Sequence, residues 1–65
     1  MTDFQPYQIR LIDVDSFNRF TEYLDSQHIE YTAFITCELW ILITDDDLTI
    51  IKLLFSDIIN YIKHY

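Results

Sequence analysis

The chain reads as a small α+β domain of order β-α-β-β-α, a three-stranded sheet with two helices on one face. Three observations predict it. Apolar and polar residues alternate in short segments that begin near residues 7 and 31. Apolar residues recur at helical spacing across residues 13–29 and 47–64. With 65 residues there is room for one domain around one core, residues 1–65. Hydrophobic residues make up 51% of the chain, which compensates for the lack of any internal disulfide when Cys37 stands alone.

"YQIRLIDV", residues 7–14, places Tyr7, Ile9 and Leu11 on one side and Gln8 and Arg10 on the other, with Pro6 suited to a strand start. The period then changes. Phe17, Phe20 and Leu24 mark one face of a helix, Asp13, Asp15 or Ser16 would cap it, and "DSQH" closes it. "YTAFITCE" alternates again, setting Tyr31, Ala33, Ile35 and Cys37 on one side. "LWILI", residues 39–43, is apolar on both faces, as in a buried central strand. One strand over residues 31–44 would run roughly 45 Å, so a break near Glu38 is preferred, with a long strand shared across a dimer as the alternative. Residues 47–64 form the second helix. Thr49, Lys52, Ser56, Asn60 and Lys63 make its thin polar stripe, and the rest of its surface must be buried on more than one side.

This order resembles a ferredoxin-like split βαβ unit without its last strand. The resemblance implies that the first strand lies beside the third and keeps one open edge, which invites a partner strand or a twin chain. Tyr7, Ile9, Tyr31, Phe34, Tyr61 and Tyr65 are the candidate interface residues of a homodimer, tyrosine being at ease in half-wet positions.

Asp45, Asp46 and Asp47 follow Thr44, which has the spacing of a capping box. Carboxylates at a helix N-terminus accept its free N–H groups and suit the helix dipole. A hard-cation cage would need these to pool with Asp13 and Asp15, which the antiparallel topology sends to the opposite end of the sheet. No metal and no cofactor is expected.

Composition excludes several classes of function. Eleven acids against four Lys and Arg leave a formal net charge of −7, so the chain lacks the cations for binding nucleic acid or an anionic membrane directly. There is no glycine at all, which removes phosphate-cradling loops and nucleotide fingerprints. Cys37, His28 and His64 have no evident catalytic partner, so no enzyme is expected. No secretory leader and no apolar run of ~20 residues is visible, and a single cysteine suits a reducing compartment; the expectation is a cytoplasmic protein.

What remains is protein binding. Asp25, Glu30, Asp45, Asp46 and Asp47 are expected on one rim, and Asp13, Asp15 and Glu38 on the other, where they would engage a partner with a basic surface. Small size, acidity and no catalytic constellation match the style of phage and mobile-element inhibitors, some of which mimic DNA. The rival expectations are a ligand-sensing regulatory dimer and a structural subunit of a larger complex.

Overall fold

The computed structural model describes residues 3–64, apart from the side chain of Phe34. Its elements are β1 (Gln5–Leu11), α1 (Val14–Ser26), β2 (Tyr31–Ile35), β3 (Glu38–Ile43), α2 (Asp45–Phe55) and β4 (Ile59–His64). All strand pairs are antiparallel, in the order β2-β3-β1-β4. The α+β class stands, but the sheet has four strands and not three. The element order is that of a complete split βαβ unit.

The fourth strand corrects the helix expected over residues 47–64. α2 ends at Phe55, and a turn over residues 56–58 leads into β4. The misleading signal has a structural cause. Ile59 pairs with Leu11 and Ile62 with Ile9, with Asn60 as the extra residue of a β-bulge between them. Two inward-facing residues therefore stand three apart, which is helical spacing produced by a strand. β-branched Ile58, Ile59 and Ile62 favour the extended form, and the Ile12 N–H fixes it by donating to the Ile58 carbonyl at 3.0 Å.

A second correction follows. β1 is an interior strand, flanked by β3 and β4, and the free edges belong to β2 and β4. Pro6 is compatible with this position because β4 pairing begins only at Tyr7. Ile9 and Tyr7 lie in the core, so the open edge that recommended them for an interface does not exist.

The core is one cluster. Ile9, Leu11, Leu39, Ile41 and Ile43 from the two central strands meet Phe20 and Leu24 of α1 and Leu48 and Ile51 of α2. Phe55 joins the two helices, packing edge-on against Phe20 and Tyr23 with ring centroids 5.2 Å apart in each case. Trp40 and Leu42 point away from this core and are exposed, so β3 is not buried on both faces as "LWILI" suggested.

A chain without glycine must turn with other residues. The break between β2 and β3 is a hairpin through Thr36 and Cys37, and Cys37 adopts φ 68°. It is therefore a turn residue and not a strand residue on an apolar face. His28, at φ 58°, follows the C-cap of α1. There the Ile29 N–H donates to the Leu24 carbonyl (2.9 Å) and the His28 N–H to that of Asp25 (3.2 Å), a Schellman closure built on histidine where glycine is usual.

Candidate functional site

The acidic residues divide between the two ends of the sheet as the topology requires, and they meet different fates. At the end where β1 runs out, Asp13 is the N-cap of α1. Its Oδ1 accepts the Ser16 N–H at 2.7 Å. Hydrogen bonds from Ser16, backbone first and side chain second, hold the Asp13 carboxyl below its usual range, helped by the charge of Arg19 and opposed by partial desolvation. Asp15 lies exposed in the first helical turn, where the dipole favours it. Asp57, not singled out from sequence, is exposed in the turn after α2.

Glu38 is a correction. It is only 3% exposed. Its Oε2 pairs with Arg10 Nη1 at 3.2 Å and its Oε1 accepts the Tyr61 hydroxyl at 3.2 Å. Both oxygens are consumed inside the fold, so Glu38 is no contact for a partner. Tyr61, a candidate interface residue, is placed by its pairing with Arg10 across β1 and β4, and its hydroxyl is tied to the same carboxylate.

At the other end, the aspartate triplet is the first turn of α2. Thr44 is the N-cap, and its Oγ1 accepts the Asp47 N–H at 3.1 Å. Asp45 accepts the Tyr7 hydroxyl at 3.0 Å. Burial, above all, then that hydrogen bond and the Asp45 charge raise the Tyr7 pKa above 10.0. Asp46 is exposed with no such partner. Structure thus gives the Asp45 carboxylate a partner, and the helix dipole favours Asp46 and Asp47 beside it.

It does not account for Asp25 and Glu30. Asp25 lies in the last turn of α1, which holds no basic residue, and a carboxylate there faces the negative end of the helix dipole. Glu30 is exposed in the loop that follows. Both line an open groove of about 820 Å³, bounded by the α1–β2 connection on one side and by Pro6, Trp40 and Leu42 on the other. A smaller cleft of about 440 Å³ shares His28, Ile29, Glu30 and Leu42 with it and extends to Phe4 and Asp47. The sequence reading missed the groove walls. Outward placement of Trp40 and Leu42 was the available signal, hidden by the apolar residues that alternate with them.

Among the described residues the one ion pair is Arg10–Glu38, so none of the acids at the groove is neutralised by a salt bridge. No group of three or more His, Cys, Asp or Glu among those residues is arranged to hold a metal ion. Of the candidate interface residues, Tyr31 is half-buried at the groove, while Tyr65 and the Phe34 side chain lie outside the described residues. No helix of the described residues is long and apolar enough to cross a membrane.

Comparison of the chain with protein-family models, with curated proteins and with solved structures finds no match in any of the three.

Proposed function

We propose that this is a non-catalytic, cytoplasmic protein-binding module whose acidic groove end engages a basic site on a partner protein, of the kind otherwise filled by nucleic-acid phosphates. One observation carries the reading. Asp25 and Glu30 line a groove floored by Trp40 and Leu42, in positions that no capping or pairing role explains. Exposed acids are ordinary on a surface; what sets these two apart is the open groove that they share with Trp40 and Leu42. Desolvating them against Arg or Lys breaks no existing salt bridge, and the chain's net charge of −7 would steer a basic partner toward it.

Affinity capture of partners by the wild-type chain and by Asp25→Asn with Glu30→Gln tests this. Capture should weaken as salt approaches ~1 M, where screening acts within about 3 Å, and should weaken in the double variant at low salt. Capture indifferent to both would overturn the proposal.

A homodimer is the second part of the proposal, supported by a different surface. Ile50, Leu53 and Leu54 form an outward ridge on α2, and Leu53 is 77% exposed, the most exposed large hydrophobic residue described. No acid lies between Ile50 and Leu54, so two strongly negative chains could meet there. Light scattering at micromolar concentration should report a dimer that Leu53→Lys converts to monomer; a monomeric wild-type chain sinks this part.

A further inference from the structure

We propose that the free edge of β2 accepts an extended basic segment of the partner as a fifth strand, its cationic side chains reaching Asp25 and Glu30. This rests on the proposed function and specifies how the partner is held. β2 closes one side of the sheet. Among the described residues, every backbone hydrogen bond of Tyr31–Ile35 goes to β3, so the outward-facing N–H and C=O groups of the strand make none. Thr32 and Ala33 are exposed, so no helix covers them. Such an edge templates pairing unless something blocks it.

Charge decides what pairs with it. Asp25 and Glu30 stand at the start of β2, and the groove there also takes in Thr32 and Trp40. An added strand presents alternate side chains to the same face. The set on the groove face would meet both, its cationic heads at the carboxylates and its methylene stems along Trp40 and Leu42. The opposite edge differs. β4 contains no Asp or Glu, so it gives a basic strand no carboxylate to meet. The bulge at Phe34, where Ala33 pairs with Leu39 but Ile35 with Glu38, confines regular pairing to the groove half of β2.

The test titrates the isotope-labelled chain with three capped octapeptides: one alternating lysine and valine, the same peptide fully N-methylated, and one with glutamate for lysine. The lysine peptide should shift amide resonances of residues 30–33 and slow their exchange with solvent. N-methylation removes the ladder donors and should weaken binding about tenfold or more, equivalent to 1.4 kcal/mol or more. Asp25→Asn with Glu30→Gln should weaken the lysine peptide several-fold. Equal binding of the methylated peptide, or shifts confined to residues 59–64, overturns strand addition and leaves the electrostatic reading standing. Equal binding of the glutamate peptide, or no binding by any of the three, overturns both.

Discussion

Asp13 and Glu38 where β1 ends, and Asp25 and Glu30 where β2 begins, put the same kind of side chain to opposite uses. Where β1 ends, Asp13 caps α1 and Glu38 is held by Arg10 and Tyr61, so the charge of these two is spent inside the molecule. Where β2 begins, Asp25 and Glu30 line a groove and hold nothing in place. Acidity in a sequence is thus two quantities, and only the second is available to a partner. The fold separates them by what each carboxylate has within reach: an orphan N–H, a guanidinium, or solvent.

The largest effect expected is on the first end. Arg10→Met leaves the buried Glu38 carboxylate with the Tyr61 hydroxyl alone. It should cost about 2–3 kcal/mol in urea unfolding, less than for a fully buried pair because Arg10 is itself half-exposed. A loss under about 0.5 kcal/mol, the ordinary surface value, would mean that Glu38 is not committed to the fold.

Backbone strain tests whether the contrast extends beyond charge. His28 lies at the groove end and Cys37 at the other, both with φ near 60–70°. Replacing either by glycine should stabilise by about 1 kcal/mol, since only glycine occupies that region freely. Equal gains at both ends would assign the strain to the lack of glycine and leave the contrast one of charge. A gain at Cys37 alone would show that histidine is not strained at the groove.

A titration tests whether Asp13 is a structural acid. The folded-state pKa of Asp13 is lowered from 3.8, so its contribution is present above that value and is lost as pH falls through the folded-state pKa. Asp13→Asn keeps an oxygen acceptor for the Ser16 N–H but does not titrate. Its acid unfolding limb should be shallower than that of the wild type. Matching limbs for wild type and Asp13→Asn would break the distinction.

The smallest effect is the most diagnostic. Asp25→Lys places a cation at the C-terminal end of α1 and should raise stability by a few tenths of a kcal/mol, up to about 1. A measurable loss would reveal a structural role for Asp25 and remove the ground for calling it a binding residue.

How much of this was legible in the sequence depends on how local the cause is. The Thr44 cap before the triplet could be read directly, and the cap of α1 narrowed to Asp13, Asp15 or Ser16, because a cap is satisfied within three residues. The division of acids between two ends followed from the strand order. β4 could not be read, because the bulge at Asn60 gave Ile59 and Ile62 the spacing of a helix, and only pairing with β1 distinguishes the two. The consumption of Glu38 was equally hidden. Arg10 and Tyr61 stand 28 and 23 residues from it, and nothing local announces that three strands bring them together.

By itself, then, the sequence determined the class of the domain, its helix starts and its excess of negative charge, all of which depend on composition or on contacts a few residues apart. The tertiary structure decided which strand is the edge, which carboxylates remain free, and where they meet an apolar floor. Those outcomes depend on which distant segments become neighbours. A residue's neighbours across a sheet are set by register and topology, which a single bulged residue can shift.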